Sequence, residues 1–320
     1  MEQRRIPGSG LRVSRLGLGT MTWGADTPEH DAAAQLVAFA EAGGTLVDTA
    51  DCYAGGDAEL IIGRLLRDVV PRAGVVLATK ASVADGADGA RDASRRHLLA
   101  ALDASVQRLG VDHVDLWQVG AWDPTTPLEE TLSAIDVAVS SGRTRYAGVC
   151  NYLGWQLARA ATWQQAWPGR APISSLQVEY SLLARGAELE AIPAAADRGV
   201  GVLCWSPLGR GVLTAKYRTG IPADSRAATP HLAPFVQPYL DERCRAIVEA
   251  VSTAADGLGV SPLAVALSWV RDRPGVSAAI VGARTTAQLN GILQAEDVTL
   301  PPEISAALND VSAMPRAYPG

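Results

Sequence analysis

Three side chains able to hold or move a proton stand near the start of the chain: Asp48, Tyr53 and Lys80. Leu46 and Val47 form a buried-strand signature that stops in the acid Asp48. A second apolar run, Val75-Val76-Leu77-Ala78, stops in Thr79-Lys80, and Tyr53 lies between the two, just before the turn residues Gly55-Gly56. In a barrel of parallel strands the C-terminal strand ends form the reacting face. Two such strands ending in ionisable residues, with a phenol on the loop between, would make an acid–base unit. A phenol has a reference pKa of ~10 and gives up its proton poorly at neutral pH. A lysine ammonium nearby favours the phenolate, by at most ~4 kcal/mol for a unit charge ~4 Å away at an effective dielectric of about 20. Asp48 would keep Lys80 charged and oriented. Only two lysines occur in the chain, Lys80 and Lys216, so one at a strand end is pointed. By residue type alone, the same three also read as a buried Asp–Lys pair beside an unrelated surface tyrosine.

The elements that would position these residues alternate strictly. Short apolar strands are expected at 16–20, 45–47, 75–79, 114–119, 146–149, 174–178, 201–205 and 278–281. Helical patterns follow them: one starting at Thr27-Pro28-Glu29 and ending at Gly43-Gly44, then 57–68, 91–109, 127–141, 155–166 and 187–196. Further helices are expected at 241–257, 262–271 and 286–295, with a tail helix from Pro302. Residues 4–7 and 11–14 flank Gly8-Ser9-Gly10, a small hairpin ahead of the main fold. Strands alternating with helices imply a parallel sheet. Eight strand–helix units favour a closed (β/α)8 TIM barrel over an open doubly wound sheet, with an N-terminal β-hairpin and extra helices after strand seven and at the C-terminus. No linker interrupts the alternation, so residues 1–320 read as one domain. The long segment 209–238 falls on the reacting face, and loops of that length are usually functional.

Composition removes other classes. A hydrophobic share of 48% is enough for a full core, while no apolar stretch reaches the ~18 residues that span a bilayer. Met1-Glu2-Gln3-Arg4-Arg5 lacks the long apolar region of a signal peptide. Cys52, Cys150, Cys204 and Cys244 show no paired spacing, which points to a reducing, cytoplasmic setting and no zinc site. A net charge of −6 gives no footprint for nucleic acid. No carboxylates or histidines cluster at the strand ends, which makes a metal-dependent lyase a distant reading.

A phosphate-binding signal lies elsewhere. Gly17-Leu18-Gly19-Thr20-Met21-Thr22 fails the dinucleotide fingerprint at its third glycine. Ile280-Val281-Gly282-Ala283-Arg284-Thr285 instead runs off the last strand into a helix N-terminus, where a phosphate sits in many barrels. Arg284 would supply a bidentate fork; alone, it reads equally as an exposed arginine on a solvated helix start. Trp23, Trp122 and Tyr152 fall on loops at the reacting end and would form an apolar substrate pocket or simply pack their loops.

Val47-Asp48-Thr49-Ala50 with Tyr53, Leu77-Ala78-Thr79-Lys80, Gly148-Val149-Cys150-Asn151, Gln177-Val178-Glu179-Tyr180-Ser181-Leu182-Leu183, Trp205-Ser206-Pro207-Leu208-Gly209 and Val281-Gly282-Ala283-Arg284 together resemble the aldo-keto reductase family, in family order across essentially the whole chain. The resemblance implies a barrel binding NADPH across its C-terminal face, and hydride transfer to a small aldehyde or ketone. It implies Tyr53 as general acid, Lys80 as the partner that lowers its pKa, and Asp48 as the residue orienting that lysine. Asn151 and Gln177 would hold the carboxamide with Cys150 nearby, where the family usually has serine, and Trp205 would stack on the nicotinamide. Gly19, Thr20 and Met21, at the end of the first barrel strand, would also meet the cofactor. Ser206, Pro207, Leu208, Gly209 and Arg210 with Lys216 and Arg226 resemble a pyrophosphate loop, as in the family's potassium-channel β subunits. Gly282, Arg284 and Gln288 would form the adenosine-phosphate site. Gly291 and Ile292 replace the usual Glu and Asn, so some adenine contacts would be missing. At the end of strand four the family's catalytic histidine is replaced by Gly120, which would leave a space about the size of an imidazole. His231, on the long loop, is the only histidine placed to substitute. The resemblance therefore implies a weakened or retuned reductase, or else an NADPH-binding barrel of little turnover serving as a redox-sensing or partner-binding module.

Overall fold

The short apolar runs hydrogen-bond side by side into a closed barrel in the computed structural model, which describes residues 1–82 and 91–314. A hairpin of β1 (Gln3–Arg5) and β2 (Arg12–Ser14) precedes it. The barrel strands are β3 (Leu16–Gly19), β4 (Leu46–Asp48), β5 (Val76–Ala81), β6 (Val114–Val119), β7 (Thr144–Cys150), β8 (Ile173–Glu179), β9 (Gly201–Trp205) and β10 (Val276–Val281). All eight pair in parallel and in chain order, with β10 closing onto β3. Helices cover the outside, so the eight-unit reading of the sequence holds.

The two-residue period of a strand decides what faces the barrel axis. Leu46, Ala78, Leu116, Leu203 and Ala278 form one buried cluster with Ile6, Leu11 and Val13 around the hairpin. The hairpin therefore closes the N-terminal end of the barrel. Two residues further along each strand, on the same face, come Asp48, Lys80, Gln118, Trp205 and Ile280, which crowd the C-terminal end. The outward-facing residues, such as Val47, Leu77, Trp117 and Cys204, pack in a second, larger core against the helices. A register shift between Ala147 and Gly148 brings Gln177 opposite Cys150, setting these two side chains together at the top. The interior is tight at Gly148, where an added Cβ would lie 2.1 Å from Ser175 Oγ.

Two helices differ from the expected spans for local reasons. The helix expected at 91–109 begins at Arg95, with Ser94 as its N-cap accepting from the His97 amide. Its upstream residues are extended because Ala93 N donates to Asp123 Oδ2 at 3.0 Å. The helix expected at 187–196 splits into a 3-10 turn at Gly186–Glu188 and a helix at Ala191–Arg198. Pro193 lacks an amide proton and its ring collides with a carbonyl four residues back, so a helix can only start within the turn before it. The long loop after β9 is not structureless: it holds 3-10 turns at Gly209–Thr214 and Arg226–Ala228 and a short helix at Ala233–Val236. Among the described residues no single helix is long and apolar enough to cross a membrane.

Candidate active site

The C-terminal end of the barrel opens into a cleft of about 680 Å³, running from Tyr53 and Gly120 at one end to Arg284 and Gln288 at the other. Its floor is a buried polar chain. Lys80 Nζ donates to Asp48 Oδ2 at 2.8 Å and to the Thr49 carbonyl at 2.8 Å. Gln177 Nε2 donates to the other Asp48 oxygen at 2.7 Å, so each carboxylate oxygen has a partner. The ammonium lies 5.3 Å from the Tyr53 ring centroid with one of its three protons left to aim past these acceptors.

Burial pushes the Tyr53 phenol up to about 12, although Lys80 pulls it the other way. Lys80 acts on the phenol in the direction expected from the sequence, and desolvation outweighs it. Lys80 itself is drawn down by burial, but Asp48 foremost, then Tyr53 and Cys150, hold it above the usual lysine range. The Cys150 thiol is raised to about 12 by burial, against the pull of Lys80. At neutral pH the site thus holds a protonated phenol beside a charged ammonium–carboxylate pair.

Backbone strain marks another stretch of the cleft wall. Asn151 and Ser206 adopt φ values of 57° and 52°, in the left-handed region that non-glycine residues rarely enter and that clusters at functional sites. Trp205 Nε1 donates to Asn151 Oδ1 at 3.0 Å, which fixes the indole at the strand end. Gln177 spends its amino group on Asp48, and its carbonyl oxygen accepts from Cys150 Sγ at 3.9 Å.

At the far end Lys216, Arg226 and Arg284 converge without an ion pair to any described carboxylate. Burial and then the Arg226 and Arg284 charges lower Lys216, and burial and then Arg284 lower Arg226. Such mutual repulsion is relieved by an anion. Arg284 also donates to the Asp224 carbonyl, and Gln288 Oε1 accepts from the Arg284 amide at 3.0 Å. These groups stand at the start of the helix Thr286–Gln294, whose free amides and dipole favour the same sign.

Most of the residues expected in the site line this cleft; five do not. Trp23 is fully buried, with its indole N–H on Gln35 Oε1 at 3.2 Å, so it packs the core rather than a substrate. Thr20 is buried with its hydroxyl on the Asp48 carbonyl, tying β3 to β4. Gly209 is buried beneath the loop. Trp122 and Tyr152 pack edge to face at 5.4 Å behind the cleft wall, and Trp122 meets exposed Trp155 in the same way. Arg210 lines the cleft but is paired with both Glu179 oxygens at 2.9 Å and stacked 3.7 Å from the Phe235 centroid, so its charge is already neutralised. His231 lies on Asp26, 3.3 Å from its carboxylate, and does not line the cleft. Cys52, Ser82 and Phe235 line it and were not singled out from the sequence; the position of Ser82, two residues after Lys80, was the available signal.

Gly120 departs furthest from expectation. A Cβ there would lie 2.6 Å from the Ala81 carbonyl oxygen, which also accepts the Gly120 amide at 2.9 Å. The imidazole-sized space expected beside Tyr53 is closed by the β5 backbone. Gly120→His is therefore expected to destabilise the protein by ~1–3 kcal/mol, the range for overpacking, and not to raise turnover of small aldehydes. Thermal unfolding with parallel kinetics checks this; an unchanged midpoint would show that β5 yields freely.

The parallel barrel thus gathers a phenol, a buried lysine–carboxylate pair and a distant cation cluster at its strand ends. The Aldo/keto reductase family model matches residues 15–313, and the chain belongs to that family. It is 36% identical to an uncharacterised oxidoreductase, YrpG, of Bacillus subtilis, over 97% of this chain and 96% of that protein. It is 35% identical to a probable voltage-gated potassium channel subunit beta of Oryza sativa, over 95% and 94%. With the aldo-keto reductase YhdN of Bacillus subtilis it shares 30% identity over 97% and 93%.

Proposed function

We propose that the protein reduces aldehydes or ketones to alcohols with NADPH. When bound, NADPH supplies a hydride from its nicotinamide. Tyr53 gives its proton to the carbonyl oxygen, Lys80 stabilises the phenolate left behind, and Asp48, itself held by Gln177, fixes Lys80. Trp205, Asn151 and the Gln177 carbonyl would orient the nicotinamide, while Lys216, Arg226 and Arg284 would take the phosphates. The observation that carries this reading is the pairing, in one cleft, of a protonated phenol beside a buried ammonium with three cations that form no ion pair to a described carboxylate at the other end. All four cysteines are free, which supports a reducing cytoplasmic setting.

Arg284→Ala is expected to weaken NADPH binding by ~1.5–3 kcal/mol, the range for hydrogen bonds to charged groups, and to leave NADH nearly unchanged. Fluorescence titration of both cofactors checks it; equal losses would place Arg284 away from the 2′-phosphate. The likeness to the plant potassium-channel β subunits, with Gly120 in place of an imidazole, supports a second reading: a cofactor-holding module of low turnover. NADPH-dependent reduction of a panel of aldehydes separates the two, since a module binds the cofactor tightly and oxidises it only negligibly.

A further inference from the structure

We propose that Glu59 is a positioning residue for the acid–base pair: with Thr79 and Arg108 it holds the turn that carries Tyr53 in register with the strand that carries Lys80. This rests on the reductase reading above. Tyr53 opens a 3-10 turn, Tyr53–Gly56. The next three residues, Ala54, Gly55 and Gly56, have φ values of 49°, 65° and 101°. A left-handed run that includes an alanine persists only where its surroundings impose it. The near end of this segment is tied directly, by the Asp51 amide on the Lys80 carbonyl at 3.1 Å. The far end rests on Arg108: a Cβ at Gly56 would lie 2.8 Å from Arg108 Cδ and 2.9 Å from its Nε.

Glu59 turns that contact into a link to β5. It sits in the first turn of the helix Asp57–Asp68 and is fully buried. Arg108 Nε donates to Glu59 Oε2 at 2.7 Å, and Thr79 Oγ1 donates to Glu59 Oε1 at 2.6 Å. Thr79 pairs in register with outward-facing Trp117, so it points to the helices, while Lys80, one residue on, points to the barrel axis. Contacts therefore run from the Tyr53 turn through Arg108, Glu59 and Thr79 to the residue before Lys80. None of the three linking side chains lines the cleft. Lys80 acts on the phenol through space, with its ammonium 5.3 Å from the ring centroid, so a shift of the turn against β5 changes that interaction directly.

Full-length wild type, Thr79→Val, Thr79→Ser, Tyr53→Phe and the double variant Tyr53→Phe/Thr79→Val would be compared in single turnovers of bound NADPH with para-nitrobenzaldehyde. Each rate is referred to the NADPH-binding sites counted by fluorescence titration, so unfolded protein does not enter it. A misplacement of about 1 Å can cost ~10²-fold, so Thr79→Val, which keeps the shape and removes the tie, is expected to slow turnover by ~10–100-fold. NADPH affinity should be unchanged, and Thr79→Ser, which keeps the hydroxyl, should recover most of the rate. On the Tyr53→Phe background the valine should cost less than about twofold, because a residue acting through the phenol has nothing left to act on. Arg108→Gln, at the other end of the link, should repeat the pattern, and it decides the matter if Thr79→Val does not fold. Equal losses on both backgrounds, equal losses in Val and Ser, or a Thr79→Val rate within about twofold of wild type would overturn the positioning role and leave the reductase reading intact. Wild-type protein that binds NADPH yet reduces no aldehyde would overturn both.

Discussion

Replacing Tyr53 with Phe is expected to lower carbonyl reduction by ~10²–10⁴-fold, the usual worth of a positioned general acid, while NADPH affinity survives. The phenol makes no hydrogen bond to any described residue. With its pKa at about 12 it stays protonated across the physiological range. Proton donation then depends on stabilising the phenolate during the step itself, and Lys80, 5.3 Å from the ring centre, is the charge placed to do so. Phe keeps the ring packing and removes only the acid. Steady-state kinetics with a reactive aromatic aldehyde, beside cofactor titration, read the two effects apart; a loss well under tenfold would mean the proton comes from another group.

Lys80→Met should harm both fold and reaction. It leaves Asp48 buried, with Gln177 as its remaining side-chain partner, and breaking a buried pair in this way costs ~3–5 kcal/mol. Urea unfolding at neutral pH measures the loss; a change below ~1 kcal/mol would mean that solvent screens the pair. The pH dependence has a definite sign. Lys80 and Tyr53 both have folded-state values above their unfolded ones, near ~10.4 and ~10. The stability linked to them is therefore fully present below pH ~10 and drains away as pH rises through the folded values. Wild type should lose stability above pH ~10 more steeply than Lys80→Met, because the variant no longer carries the lysine contribution.

Much of this was legible in the chain because strand periodicity and chemistry coincide. Leu46-Val47-Asp48 and Leu77-Ala78-Thr79-Lys80 announce both a buried strand and the group at its end, so fold and acid–base pair came together. Arg284 was legible for the same reason, at the junction of a last strand with a helix. What sequence could not weigh was competition in three dimensions. The pKa of Tyr53 depends on burial against the pull of Lys80, and only packing decides which wins. Trp23 looks like any loop aromatic until its indole N–H is seen on Gln35. Arg210 resembles its basic neighbours on the loop, but Glu179, distant in sequence, neutralises it. Gly120 reads as the loss of an imidazole, yet a Cβ there would lie 2.6 Å from the Ala81 carbonyl oxygen, so the backbone closes the space. Helix boundaries moved where a single group intervened, as Asp123 does at Ala93 and the ring of Pro193 does within its first turn.

The claim that this cleft passes a hydride to a carbonyl is tested most directly by a single turnover with NADPH deuterated at the transferring position of the nicotinamide. Protein in excess over cofactor is mixed with para-nitrobenzaldehyde, and the product alcohol is analysed by mass spectrometry. The account predicts one deuterium on the carbinol carbon, one oxidised cofactor per alcohol, and almost no product from Tyr53→Phe within the same time. Tightly bound NADPH that stays reduced in the wild-type protein, or an alcohol without the label, would contradict it.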